Sequence, residues 1–224
     1  MATMQIFGFW RSQATYRLRV AFNLKGIAYE EKPIALDKGE QFGEDFRKIN
    51  PLGSVPALLV EATDGSDQEP LTQSLAILEY IEETHPATPL LPKDPLGRAR
   101  IRSLASIAIS DSHPLIVPRI RGYLQNNANF DAAQWKAWQT NWFNTALEGF
   151  EARLSKDRRT GQFCHGDQPT IADICLLGLI QGTRAFEIEV PKLPTVERIV
   201  EACEKLDAFE RAKGVHQVDY PQKA

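Results

Sequence analysis

The chain has 224 residues, a formal net charge of −3 and 43% hydrophobic residues, which are ordinary values for a globular protein that can bury a core. The nearly balanced charge gives no reason to expect nucleic acid or an anionic membrane as a partner. Three cysteines without C-x-x-C spacing argue against a disulfide framework, a zinc or other metal site and a dithiol centre, and they indicate a reducing cytoplasm. The first residues lack the pattern of a secretion signal, and the longest apolar run, residues 174–180, is too short to cross a bilayer.

The first ninety residues predict a small α/β unit with the element order β-α-β-α-β-β-α. Apolar spacing predicts helices at residues 12–25, about 38–48 and 74–84, with Gly26 ending the first of them. Strands are predicted at residues 4–9, 27–36, 57–60 and about 70–72, the last two joined by a turn at Asp64-Gly65.

The second part of the chain predicts helices alone. Residues 85–97 are rich in proline, which cannot continue a helix, so we place a linker at 87–96. Helices are predicted at residues 98–125, 132–154, 170–186 and 194–211, and Thr170 with Asp173 forms a capping pattern for the third. The fold class is therefore α/β plus all-α, with one domain at residues 1–86 and an all-helical domain at 97–224.

Three positions in the first part could bind a ligand, and each also has an ordinary structural interpretation. Ser12 lies where the first helix begins, so it could stabilise a thiolate there or could only cap the helix. The Val55-Pro56 bond could be cis and present the Val55 backbone to an extended peptide, or could simply start a strand. Gln73-Ser74 could bind a carboxylate at a helix N-terminus or cap that helix.

Several other residues are predicted to be structural. Arg17 and Arg19 are expected to form ion pairs or solvated contacts. The i, i+3, i+7 spacing of Trp135, Trp138 and Trp142 predicts packing. His165 is expected to be structural, and the cysteines Cys164, Cys175 and Cys203 to act as small hydrophobic residues.

The segments FWRSQATYRLRVAFNLKG (9–26), NPLGSVPALL (50–59), TQSLAILEYIEE (72–83) and HGDQPTIADICLL (165–177) resemble the zeta class of glutathione S-transferases. That class includes maleylacetoacetate and maleylpyruvate isomerases, and the likeness runs from about Met4 to Phe209. It implies a thioredoxin-like glutathione-binding domain, a helical substrate-pocket domain, glutathione as cofactor and a cytoplasmic homodimer.

The resemblance also implies roles for individual residues. Ser12 and Arg11 match the catalytic positions. The positions implied to bind glutathione are Ser12, Gln13, Gln41, Val55, Pro56, Gln73 and Ser74, and those implied to bind substrate are Arg11, His113, Arg119 and Arg184. The chain departs from the class at Gln13-Ala14, where relatives have Ser-Cys, at Ala185, where they have arginine, and at Val117, where they have asparagine.

The implied reaction is cis–trans isomerisation of a small unsaturated keto diacid in aromatic catabolism, in which the glutathione thiolate adds to the double bond, the bond rotates and the thiolate leaves. Arginines would bind the two carboxylates and the enolate. Two alternatives stay open: a transferase that conjugates or dehalogenates small electrophilic acids, and a non-catalytic glutathione-binding module.

Overall fold

The computed structural model describes residues 4–60 and 70–221, so the predicted turn at Asp64-Gly65 lies outside the described residues. Contacts divide the chain into two compact units, Met1–Pro89 with Leu206–Ala224, and Leu90–Lys205. In the described part, no helix is long and apolar enough to cross a membrane.

The first unit contains a four-stranded sheet and the helices around it. Its strands are β1 (Met4–Gly8), β2 (Glu30–Pro33), β3 (Ala57–Val60) and β4 (Leu71–Thr72), and its helices are α1 (Gln13–Lys25), α2 (Glu44–Ile49) and α3 (Ser74–Thr84). The strand order is β2-β1-β3-β4, in which β1 and β2 are parallel and the other two pairings are antiparallel. This is the predicted element order, and it confirms the α/β prediction for this part.

The core of this unit is built from the faces that the apolar spacing predicts. Ile6 and Leu58 from the sheet, Leu18 and Phe22 from α1, and Ile77 from α3 are fully buried. Gly26 adopts a positive φ of 65° and its N–H bonds back to the last turn of α1, which confirms the predicted helix end.

Two elements of the first unit are shorter than predicted. The strand predicted at 27–36 spans only β2. The helix predicted at 38–48 is broken into two 3-10 turns, Leu36–Lys38 and Glu40–Phe42, followed by α2. Gly39 has a positive φ of 78° and Gly43 is extended, so the backbone leaves the helical conformation twice within this stretch.

The second unit consists of helices: α4 (Pro95–Ile109), α5 (Pro118–Ala128), α6 (Ala132–Leu154), α7 (Ile171–Ala185) and α8 (Pro194–Glu204). The prediction of one continuous helix at 98–125 was wrong. It is interrupted by a 3-10 turn, His113–Leu115, because Pro114 cannot donate a helical hydrogen bond and Pro118 starts a new helix. The helix predicted at 132–154 is confirmed as α6.

The start of α7 has the predicted capping pattern, with Asp173 fully buried beneath it. The Asp173 carboxylate accepts bonds from the Thr170 N–H at 2.8 Å, the Thr170 hydroxyl at 2.7 Å and the Cys164 N–H at 2.7 Å. Burial raises the pKa of Asp173, while these three bonds favour its charged form and act in the opposite direction.

The helix predicted at 194–211 also divides, at the extended residue Leu206, into α8 and a short α9 (Asp207–Arg211). Helix α9 packs on α1, where the Asn23 side chain donates to the Ala208 carbonyl at 3.0 Å and Phe209 is fully buried. For this reason Leu206–Ala224 groups with the first unit, whereas the predicted helical domain spans residues 97–224.

Candidate functional site

The register of the sheet brings four of the predicted ligand-binding segments to one edge. Phe7 pairs with Ala57, and Ala57 pairs with Thr72, so these three residues form one row across β1, β3 and β4. Ser12 follows β1, Val55-Pro56 precedes β3 and Gln73-Ser74 follows β4. Because β2 runs parallel to β1, the segment that contains Gln41 also leaves the sheet at this edge. The candidate site is therefore the loop edge of the first unit.

Ser12 is the N-cap of α1, as one interpretation of the sequence proposed. Its Oγ accepts a bond from the Thr15 N–H at 3.1 Å, and its own N–H donates to the Phe9 carbonyl at 2.9 Å. The cap occupies only a lone pair of the oxygen, so the hydroxyl proton stays available to an anion. The first turn of α1 has no acidic residue, so the positive end of the helix dipole is not neutralised there by its own side chains.

Gln13 and Gln41 are both buried, with 6% and 7% of their surfaces exposed. The Gln41 side chain donates to the Leu36 carbonyl at 3.4 Å. The Oε1 atoms of both residues are buried and have no hydrogen-bond partner among the described residues. A buried acceptor without a donor is costly, so these two oxygens suit a ligand that carries N–H groups.

The Val55-Pro56 peptide bond is cis, and Pro56 is buried. The Val55 N–H and C=O take part in no hydrogen bond with another described residue. Both groups are therefore available to pair with the backbone of an extended ligand.

Gln73 has a positive φ of 67°, which is uncommon for a residue with a side chain and often marks a functional position. It is the N-cap residue of α3, but its side chain forms no capping bond. Ser74 does not cap α3 either. Its buried Oγ accepts a bond from Arg17 Nη1 at 3.1 Å, so its proton can be donated to a carboxylate at the helix N-terminus.

Two arginines of α1 are buried, which the sequence pattern did not predict, and one of them contacts Ser74 of the candidate site. Arg17 is 1% exposed and Arg19 is fully buried, so neither makes solvated contacts, and the predicted ion pair is confirmed for Arg19 with Glu31. Every residue of α1 from 13 to 22 is buried. Since no exposed face interrupts the pattern, periodicity alone could not single these arginines out.

Arg11 is exposed, and its guanidinium lies over the Trp10 ring at 5.5 Å from the centroid. The other predicted substrate residues belong to the second unit. His113 begins the 3-10 turn between α4 and α5, and Arg119 is an exposed residue in the first turn of α5. Arg184, in the last turn of α7, forms a salt bridge with Glu204 at 2.5 Å.

The tryptophans, His165 and the cysteines are structural residues, as predicted. Trp138 donates to the Leu115 carbonyl at 2.8 Å and packs edge-on against Trp142. The Nδ1 atom of His165 lies 3.2 Å from the Arg100 guanidinium, and burial together with that charge lowers the pKa of His165. All three cysteines are buried, and burial raises the pKa of the Cys164 and Cys203 thiols. These thiols are unsuited to act as nucleophiles, and no described cluster of His, Cys, Asp or Glu can hold a metal ion.

Comparison with known proteins identifies the family of this chain. The profile of the glutathione S-transferase N-terminal domain matches residues 2–83. The chain is 38% identical to a maleylpyruvate isomerase of Ralstonia over 216 residues, which are 96% of this chain and 99% of the relative. The chain belongs to the glutathione S-transferase family.

Two solved structures extend this finding to three dimensions. A holo maleylpyruvate isomerase described as a bacterial zeta-class transferase superposes with a TM-score of 0.90 at 37% identity, covering 97% of this chain and all of that one. A maleylacetoacetate isomerase from Methylobacterium extorquens AM1, solved with malonate and glutathione, gives a TM-score of 0.91 at 47% identity and the same coverage. The predicted family and fold class, with a thioredoxin-like first part and a helical second part, are confirmed.

Proposed function

We propose that this zeta-class chain is a glutathione-dependent cis–trans isomerase of a small unsaturated keto diacid of the maleylacetoacetate or maleylpyruvate type. The observation that carries the proposal is the row Phe7–Ala57–Thr72, which brings the Ser12 hydroxyl at one helix N-terminus, the Val55 backbone and a second helix N-terminus to one edge of the sheet. The named relatives act on these two substrates according to their descriptions.

Glutathione fits the polar groups of this edge as the cofactor. The Val55 backbone, next to Pro56, pairs with the cysteinyl backbone of the tripeptide. The buried Oε1 atoms of Gln13 and Gln41 accept its N–H groups.

The N-terminal end of α3 supplies the remaining cofactor contacts. Ser74 and the backbone at Gln73 donate to a carboxylate of the tripeptide. The buried guanidinium of Arg17, bonded to Ser74 Oγ, brings a positive charge to the same helix end.

When bound, glutathione supplies a thiolate as the nucleophile for isomerisation. An unperturbed thiol has a pKa near 8.5, so about a tenth or less is ionised at neutral pH. Ser12 donates its proton to the sulfur while its Oγ still accepts from Thr15, and the uncompensated end of α1 favours the same negative charge. Ser12 is therefore the catalytic residue of the cofactor side.

Arg11, directly before Ser12, is assigned to the reacting substrate, where its guanidinium binds a carboxylate or the developing enolate. His113, Arg119 and Arg184 are proposed to bind the substrate as well. Of these, Arg184 already has a carboxylate partner in Glu204, so a substrate carboxylate would have to displace it. A cytoplasmic homodimer completes the proposal.

The decisive experiment follows the cis-enone absorbance of maleylpyruvate and maleylacetoacetate with the purified chain, with and without glutathione. S-methylglutathione, which binds but has no thiol, is the matched control. Isomerisation that needs free glutathione and is inhibited by the methylated form supports the proposal. Chloride release from haloacids without isomerisation would instead make the chain a transferase, and retention on glutathione-agarose without either reaction would make it a binding module.

A further inference from the structure

A terminal segment, residues 214–220, lies against Trp10, the residue two places before Ser12. The Trp10 N–H donates to Asp219 Oδ2 at 2.8 Å across 209 positions of sequence. The Trp10 and Tyr220 rings meet edge-on at 5.0 Å. A Cβ on Gly214 would lie 2.7 Å from the Trp10 carbonyl oxygen, so the segment approaches as closely as only glycine allows.

The other backbone group of Trp10 is also held by a charged side chain. Arg19 Nη1 donates to the Trp10 carbonyl at 3.2 Å, and Arg19 is itself fixed by Glu31, with a bond from Nε at 2.8 Å. The peptide units on both sides of Trp10 are therefore tied to ionised groups, which form stronger hydrogen bonds than neutral ones. Such a position lies in a loop, where backbone atoms are otherwise poorly constrained.

Burial does not account for the placement of this segment. Val215 is 54% exposed and Val218 is 83% exposed, so the segment contributes little apolar area to the core. The second oxygen of Asp219 is buried and has no hydrogen-bond partner among the described residues. A carboxylate with one buried oxygen left without a donor contributes little to stability, which favours a role in fixing the Trp10 backbone.

We propose that Asp219 is a positioning residue of the active site, which acts through the Trp10 backbone to fix the corner that carries Arg11 and Ser12. This inference rests on the proposed function for its catalytic consequence. A displacement of about 1 Å at a reacting group can reduce a rate roughly a hundredfold, so partial loosening of the corner is expected to reduce kcat about tenfold.

The test compares Asp219→Ala with Asp219→Asn, in which the amide oxygen can still accept from Trp10. Asp207→Ala is the matched control, because this acid also lies in the carboxyl-terminal region, and among the described residues its side chain forms an ion pair only with Arg211, at the surface. Amide hydrogen exchange of the peptide containing residues 9–13 is measured in the protein without glutathione, together with kcat and both KM values.

Asp219→Ala is expected to speed exchange in that peptide and to lower kcat about tenfold, with KM for glutathione changed less than kcat. Asp219→Asn should restore both, and Asp207→Ala should change neither. If Asp219→Ala is too unstable to purify, a chain ending at Gln217 replaces it, because water can then reach the Trp10 N–H.

Unchanged exchange in both the alanine variant and the shortened chain overturns the inference, as does equal loss of kcat in the alanine and asparagine variants. Exchange is measured without substrate, so it decides the inference even if the wild-type chain fails to isomerise either diacid. That latter result would contradict the proposed function instead.

Discussion

Removing the Ser12 hydroxyl tests whether one atom both caps α1 and holds the thiolate. A hydrogen bond to a charged group is worth about 1.5–3 kcal/mol, and 1.36 kcal/mol corresponds to one pKa unit. Ser12→Ala is therefore expected to raise the pKa of the bound glutathione thiol by about one to two units. Because a higher pKa leaves less thiolate at neutral pH, turnover should fall by well over tenfold, and the acidic limb of the pH–rate profile should move to higher pH.

The same substitution also removes the cap bond to the Thr15 N–H. Loss of an N-cap serine to alanine costs about 1 kcal/mol, whereas loss to glycine costs only a few tenths. Ser12→Gly should therefore lose as much turnover as Ser12→Ala and less thermal stability. Asp131→Ala, which removes the cap of α6, should lose stability and keep turnover.

The assay pairs turnover with thermal unfolding and with ultraviolet titration of the thiolate in the complex with glutathione. The mechanism is refuted if folded Ser12→Ala keeps the wild-type rate, or if the thiol titrates at the same pH in both proteins. Loss of turnover that tracks stability across all three variants would leave Ser12 as a cap alone.

Three further changes test neighbouring parts of the argument. Arg11→Ala is expected to raise KM for the diacid more than KM for glutathione, because its guanidinium is assigned to the substrate; equal changes in steady-state kinetics would contradict that assignment. Arg17→Met should raise KM for glutathione about tenfold, because it removes the charged donor to Ser74, and Arg17→Lys should raise KM less. An unchanged KM in folded protein would show that Arg17 does not contribute to glutathione binding. Asp173→Ala should lower the free energy of unfolding by about 3 kcal/mol or more, since three buried donors lose their acceptor, and Asp173→Asn should lower it by less. The free energies are measured by denaturant unfolding. A loss below about 1 kcal/mol would show that water replaces the carboxylate.

The elements that sequence predicted well are those whose ends carry local signals. Gly26 ends α1, because glycine readily adopts the positive φ of a helix C-terminus, and the Thr170–Asp173 pair begins α7, because these side chains can bond to the first backbone N–H groups of a helix. The helix predicted at 98–125 failed because an apolar repeat continues past Pro114, and periodicity does not register a missing hydrogen-bond donor.

The candidate site was predictable only as separate segments. Ser12, Val55 and Ser74 were each recognisable from neighbouring residues, but the row that aligns their strands depends on register, which short strands do not encode locally. The contact of Asp219 with Trp10 spans almost the whole chain, and its acceptor sits in a polar tail without periodicity. No local pattern predicts such a contact.

The departure at Gln13-Ala14 concentrates the chemistry on Ser12. Relatives are expected to have a serine and a cysteine at these positions, whereas here Gln13 is buried with an acceptor oxygen facing no described donor and Ala14 is buried and apolar. Ala14 has no donor, and Gln13 carries an amide NH2 group but neither a hydroxyl nor a thiol. The first turn of α1 thus offers the thiolate one hydroxyl, besides the backbone N–H groups and the Gln13 amide, which is why the rate should depend steeply on a single oxygen and on the backbone that places it.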